Sequence, residues 1–254
     1  MTDRQMEVFF EVHDGLPREG PGGSKSTQIA YSCVRNLPQK PLILDIGCGP
    51  GAQTLRLAEL SEGEIYAVDN HASFLDQLRQ TAADRGLSAV IHPTLADMTR
   101  LEFKNESFDL IWAEGSIFIM GIENGLKQWR PLLKEGGTVA FTEVSWLRKD
   151  APKELNLFWQ EAYPAIGTIE ENIQRIEGTG YHSTGYFILP ESDWWTDYYN
   201  PITEKLPTLL EKHKADTEAV EILKLQEKEI EIYRRYSEYY GYVFYIAEKE
   251  AEPV

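Results

Sequence analysis

The segment Leu42-Ile-Leu-Asp45-Ile-Gly47-Cys48-Gly49-Pro50-Gly51 sets three glycines directly after a short apolar run. Glycine lets a backbone approach a ligand with no Cβ in the way, and a helix starting beyond such a turn offers free N–H groups to an anionic group. Twenty residues after Gly49 stands Asp69, at the end of a second apolar run. A carboxylate there is placed to accept hydrogen bonds from a ribose diol. Asp97-Met98 follows a third run, offering a carboxylate toward an adenine amino group and an apolar flank for its ring. The chemistry implied is capture of a nucleoside-bearing cofactor across strand ends.

Two kinds of nucleoside fit that description. Gly47, Gly49 and Ala52 satisfy the GxGxx[G/A] pattern, so an NAD-dependent oxidoreductase is formally allowed. Asp45, two residues before the first glycine, would then set a negative charge beside a pyrophosphate. A zwitterionic amino-acid tail tolerates Asp45, because an ammonium can pair with it directly or through water. Gly20-Pro-Gly-Gly-Ser-Lys25-Ser26 approaches a P-loop but has Ser24 where glycine must precede the lysine, and no strand leads in.

The elements that must hold these residues follow from periodicity. Pro41–Ile46, Gly63–Asp69, Ala89–His92, Phe108–Ala113 and Thr138–Val144 read as strands. Helices are expected from about Thr27 to Leu37, over Leu55–Leu60, from a Ser73 cap to Arg85, and over Gly125–Leu133. Strands alternating with helices at this spacing predict βαβ units and a doubly wound, mostly parallel sheet of the α/β class. Residues 15–27, rich in Gly and Pro, predict an irregular, mobile segment. Beyond residue 146 the pattern predicts two helical stretches between 152 and 178, a strand at Tyr186–Pro190, a long helical stretch over 191–240 and a final strand at Tyr242–Ala247. No linker interrupts the chain, which predicts one domain over 1–254: an N-terminal segment at 1–38, a cofactor-binding core at 39–146 and a helical part with the last two strands at 147–254; the resemblance described below implies that the first serves as a lid and the last as a substrate cap.

Composition narrows the partners. The 254 residues carry 41 acidic and 25 basic side chains, a formal charge of −16. That opposes a nucleic-acid phosphate surface and an anionic membrane, both of which need clustered Lys and Arg. Two cysteines and five scattered histidines form no metal-ligand spacing. The first residues lack a charged-then-apolar leader and no apolar run approaches a membrane span, so a cytoplasmic location is expected.

Asp45-Ile-Gly-Cys-Gly-Pro-Gly51, Asp69 and Asp97-Met98 together resemble the cofactor motifs of class I S-adenosylmethionine-dependent methyltransferases. Phe108-Asp-Leu-Ile-Trp-Ala113 and Leu132-Leu-Lys-Glu-Gly-Gly137 are similar to the family's fourth strand and the turn before its fifth. The resemblance covers about residues 40–146 and is nearest to the small-molecule branch that includes quinone-biosynthesis enzymes. It implies a Rossmann-like, seven-stranded sheet with an antiparallel last strand, a helical lid, S-adenosyl-L-methionine as cofactor and a small-molecule methyl acceptor. By the same resemblance Gly47, Cys48 and Gly49 meet the methionine tail, Asp45 helps hold its ammonium and Asp69 takes the ribose hydroxyls. Asn70 lies beside the adenine, Asp97 and Met98 face it, and Glu114 lines the methyl-transfer side. A protein that binds the cofactor without catalysis remains an alternative, because in-line methyl transfer requires no obligatory side chain.

If the acceptor must lose a proton, His13 in the lid segment and Glu143 at the end of the fifth strand are the candidate bases. Tyr233, Tyr236 and Tyr240 share a helical face, and Trp194, Trp195, Tyr198 and Tyr199 cluster before Pro201. Such stripes most often pack a core; the sharper expectation is an aromatic wall that suits a sulfonium or a cationic substrate.

Overall fold

A computed structural model describes residues 1–251. The chain runs α1 (Asp3–His13), α2 (Ser24–Cys33), β1 (Leu42–Ile46), α3 (Ala52–Leu60), β2 (Glu64–Asp69), α4 (Ala72–Asp84), β3 (Ile91–Leu95), β4 (Phe108–Ala113), α5 (Ile122–Trp129) and β5 (Leu133–Trp146). It continues with α6 (Lys153–Ala162), β6 (Gly167–Thr168), α7 (Ile169–Glu177), β7 (Tyr181–Ile188), α8 (Ser192–Trp194), α9 (Asn200–Lys212), α10 (Thr217–Tyr236) and β8 (Tyr240–Lys249).

The sheet order is β3-β2-β1-β4-β5-β8-β7, with the two-residue β6 pairing the end of β5 outside that path. β1 to β5 pair in parallel, and β8 runs antiparallel to both β5 and β7. β1 and β4 are apolar almost throughout because the sheet is covered on both faces. One face carries Trp112, Leu110 and Ile43 against α3 and α4; the other carries Leu44, Ile111 and Phe141 against α5 and α7. The order reverses between β1 and β4, and it is there that ligands gather at the strand ends of open α/β sheets.

Several boundaries differ from the sequence reading for physical reasons. Ser73 does not cap α4: His71 is the N-cap, without a side-chain cap, and it donates its N–H to Asp69 Oδ1 at 2.8 Å, so the strand-end aspartate fixes the entry to the helix. β3 runs two residues later than expected and includes Pro93, tolerated on an edge strand whose outer side has no partner. β5 and β7 each begin five residues early because β8 and β4 extend the ladder. The helix expected to reach Leu37 stops at Cys33.

The segment expected to be mobile is instead packed. Leu16 and Arg18 are buried, and Gly22 donates its N–H to the Asp193 carbonyl at 3.0 Å. The expected Tyr233–Tyr236–Tyr240 face does not exist: α10 ends at Tyr236 and Tyr240 opens β8. The last three residues of the 147–254 cap lie outside the described residues.

A third hydrophobic cluster, which reaches the sheet at Val144 and Tyr240, joins α1, α9 and α10 around Val8, Val12, Ile202 and Tyr233. Polar ties hold α1 there: Lys205 Nζ caps the last α1 carbonyls, and Arg4 bonds Asp216 at 2.8 Å. On its other side α1 reaches the core, where Phe10 stacks on His71 at 4.1 Å between ring centres. The N-terminal helix therefore bridges cap and core.

Candidate functional site

The turn from β1 into α3 is built by backbone conformations that side chains resist. Gly47, Gly49 and Gly51 all have positive φ, at 71°, 54° and 90°. At Gly47 the constraint is double, because a Cβ would stand 2.4 Å from the Ser116 Cβ. Ser116 is fixed by donating its hydroxyl to the Ile46 carbonyl at 2.6 Å. The N–H groups of Gly47 and Cys48 both point back to the Val68 carbonyl, at 2.8 and 3.0 Å, which locks the turn to the end of β2.

Asp69 lies at that junction. Its Oδ2 accepts the Gly49 N–H at 2.9 Å and its Oδ1 the His71 N–H at 2.8 Å, so the carboxylate ties the glycine turn to the start of α4. Each oxygen keeps acceptor capacity for a further donor. Asp97 is held by the Thr99 N–H and hydroxyl, both at 2.8 Å, and these bonds lower its pKa. Met98 reaches over the turn, its Cε 3.5 Å from where a Gly47 Cβ would be.

These groups form one end of a cavity of about 520 Å³. Gly47, Cys48, Gly49, Asp69, Asn70, Asp97, Met98 and Glu114 all line it. Asp45 does not. It is fully buried beneath the turn, bonded by the Thr54 hydroxyl and, at 3.5 Å, by the Gln53 amide. Burial pushes its carboxyl up to about 7 despite the Thr54 bond. Gln53 stands between Asp45 and the cavity, with its Nε2 also 3.0 Å from the Cys48 carbonyl. Burial likewise raises the Cys48 thiol, which suits a small turn residue and not a nucleophile.

Glu114 turns its side chain toward the N-terminal segment. It accepts from Arg18 at 2.8 Å, from the Thr27 hydroxyl at 2.8 Å and from the Trp112 indole at 2.9 Å. The Arg18–Glu114 pair is buried, with side chains 5% and 2% exposed, so it fastens the N-terminal segment to the end of β4.

The far end of the cavity is aromatic. α6 supplies Phe158 and Trp159, the following turn Tyr163, α8 Trp194, and β8 Tyr242. Trp194 is sandwiched between Tyr233 at 4.1 Å and Tyr242 at 5.2 Å, both near-parallel. Of the Trp194–Tyr199 cluster, Trp194 and Tyr198 face the cavity while Trp195 and Tyr199 pack behind them.

Neither candidate base is on the wall. His13 is buried, its Nδ1 2.8 Å from Glu19 Oε2, and Glu19 is the member that lines the cavity. Glu143 lies off the wall; burial pushes its carboxyl up to about 8, and its Oε2 has no hydrogen-bond partner. Among the described residues no group of three His, Cys, Asp or Glu side chains could hold a metal ion.

Gln53, Ser116, Glu19 and Glu229 line the cavity without having been singled out by sequence. Gln53-Thr54 carried a usable signal, two polar residues on the first turn of a helix directly after the glycines. Glu229 carried none, sitting in the run Glu227-Lys-Glu-Ile-Glu231.

Comparison with known proteins matches this geometry. Residues 43–137 fit the family model described as a methyltransferase domain. The chain is 32% identical over 139 residues to the dimethylglycine N-methyltransferase of Parasynechococcus marenigrum, covering 52% of this chain and 50% of that enzyme. It is 25% identical over 174 residues to the sterol 24-C-methyltransferase erg-4 of Neurospora crassa, covering 65% and 45%. The chain thus spans about half the length of these two relatives. In three dimensions it is similar to a methyltransferase from Geobacter sulfurreducens solved with S-adenosyl-L-homocysteine, at a TM-score of 0.78, 16% identity and coverage of 97% and 98%. The strand order, the glycine turn and the matched 43–137 segment coincide: residues 43–137 match a methyltransferase domain, and the chain as a whole is similar in fold to an S-adenosylmethionine-dependent methyltransferase.

Proposed function

We propose that this chain transfers a methyl group from S-adenosylmethionine to a small-molecule acceptor by in-line displacement. The observation that carries the reading is the continuity of the cavity: a glycine-and-carboxylate cradle at one end opens directly onto an aromatic chamber at the other. When bound, S-adenosylmethionine supplies an electrophilic methyl on a sulfonium. The cradle fits it without a Cβ obstructing the turn. The Gly47–Gly49 backbone receives the amino-acid tail, Asp69 accepts from the ribose, and Asn70, Asp97 and Met98 flank the base. Asp45 acts through Gln53 and the Cys48 carbonyl, holding the shape of the turn. Glu114 keeps the lid segment in place through Arg18.

The aromatic chamber and the lid residues Phe9 and Phe10 exclude water and align the acceptor, the main demands of such a displacement. Where the acceptor must shed a proton, Tyr163 and Glu19 are the residues on the wall, with Glu143 and His13 behind them as positioning groups. We read the chain as one domain with a lid segment at 1–38. Among the described residues no helix is long and apolar enough to cross a membrane.

The test is methyl turnover. The full chain is incubated with S-adenosylmethionine carrying a labelled methyl and a pool of small metabolites, and label is followed into products. Label in a product, lost with Asp69→Ala, is the expected result. S-adenosylmethionine bound but never consumed across a broad pool would leave a binding protein instead.

A further inference from the structure

The aromatic end of the cavity contains one carboxylate. Glu229 lies on α10 and shares a helix face with Gln226 one turn earlier; both line the cavity. Its Oε1 accepts the Tyr199 hydroxyl at 2.9 Å. Among the described residues no Lys or Arg bonds it, and the group able to carry positive charge that acts on it is His13, itself committed to Glu19. Glu229 is half-buried, and burial raises its pKa; with one hydroxyl partner its charged form is under-compensated, and a cation beside it would relieve that cost.

The rest of the wall points the same way. Glu19, Asp69, Asp97, Glu114 and Glu229 line the cavity against one guanidinium among the described residues, Arg18, which is bonded to Glu114. An acceptor bearing a phosphate, sulfate or carboxylate would find no free cation here and would meet an acidic wall. A cationic acceptor would find Glu229 together with Tyr198 and Tyr242, each stacked against one neighbouring ring, on Tyr199 and Trp194 respectively, and so able to turn its other face, with its negative quadrupole, to positive charge.

We infer that the methyl acceptor is a cationic amine with an apolar body and no acid group, its ammonium seated against Glu229 within the ring-lined chamber. The inference rests on the methyl-transfer reading and names the substrate class that reading leaves open. Glu229 acts in recognition, and Tyr199 holds its carboxylate in place from behind.

The experiment is titration calorimetry on the full chain saturated with S-adenosyl-L-homocysteine, using a charge series of one shape: 2-phenylethylamine, 2-phenylethanol and phenylacetate. Binding of the amine roughly tenfold or more tighter than the alcohol, with no heat from the carboxylate, is expected, since a charge-assisted hydrogen bond corresponds to about that factor. Glu229→Gln should erase the amine preference while leaving affinity for S-adenosyl-L-homocysteine unchanged. A wild-type chain that binds phenylacetate as well as the amine, or that binds S-adenosyl-L-homocysteine but none of the three, overturns the inference. So does an amine preference that survives Glu229→Gln. The wild-type series decides the matter even where the variant does not fold. Failure to bind S-adenosyl-L-homocysteine at all would instead strike the methyl-transfer reading.

Discussion

The two ends of the cavity are built by different means. The cradle is made by backbone: positive-φ glycines, N–H groups aimed at the Val68 carbonyl, and one strand-end carboxylate. All of it comes from segments close in sequence around β1, β2 and β3. The chamber is made by side chains from α1, α6, α8, α10 and β8, brought together from both ends of the chain. Backbone geometry tolerates few sequences, whereas a ring-lined wall can be repacked around a new ligand. The contrast teaches that the cofactor end is constrained by one ligand and the acceptor end is free to specialise.

Breaking the tie between the ends should have the largest effect on stability. Arg18→Met strands Glu114 without its buried cation, and loss of one partner of a buried pair costs about 3–5 kcal/mol. Chemical denaturation should show that loss, and Arg18→Met with Glu114→Gln should recover part of it. An unchanged midpoint would mean that the lid segment is not fastened there.

Gly47→Ala attacks the cradle alone. A positive φ costs about 1–2 kcal/mol for a side-chain residue, and overpacking against Ser116 adds a cost of about 1–3 kcal/mol. Affinity for S-adenosyl-L-homocysteine should fall by roughly a hundredfold on conversion of that strain. An amine-binding chamber should survive it, which calorimetry with the amine alone would check.

The pH response separates the ends by charge. Burial raises the folded-state carboxyl of Glu143 to about 8, so the favourable burial of its neutral form is complete below about pH 4.5 and is lost as pH rises through 8. Glu143→Gln cannot ionise. Its stability relative to wild type should therefore rise between pH 5 and pH 9 by an amount on the order of a few kcal/mol, read from paired denaturation curves. A variant that tracks wild type across that range would mean Glu143 is already ionised and compensated.

The smallest effect belongs to a site away from both ends. Thr168 caps α7 in a reciprocal capping box with Glu171. Thr168→Ala should lose about 1 kcal/mol in denaturation without altering cofactor affinity.

The same division explains what was legible in the sequence. β4 was read at its true limits, and the glycine turn with Asp69 and Asp97-Met98 was visible because local backbone demands leave residue types at fixed spacing. Asp45 was expected at the ligand, yet it lies under the turn, since spacing shows proximity to a loop and not which side of it a side chain takes. The Gly/Pro segment was expected to move, but Arg18 and Leu16 bury it through contacts roughly a hundred or more residues away in the chain. Tyr240 shares a helical period with Tyr233 and still opens a strand, because pairing with Trp146 on β5 outweighs local periodicity. Glu229 was invisible because the chamber exists only after α10 packs on α1 and β8 closes the sheet.

The most direct test of the account is a thermal-unfolding scan of the full chain with S-adenosyl-L-homocysteine and, separately, with NAD. A ligand at about a hundred times its dissociation constant adds roughly 2.7 kcal/mol of stability. The account predicts a raised midpoint with S-adenosyl-L-homocysteine and none with NAD, lost in Gly47→Ala. A rise with NAD alone would contradict it.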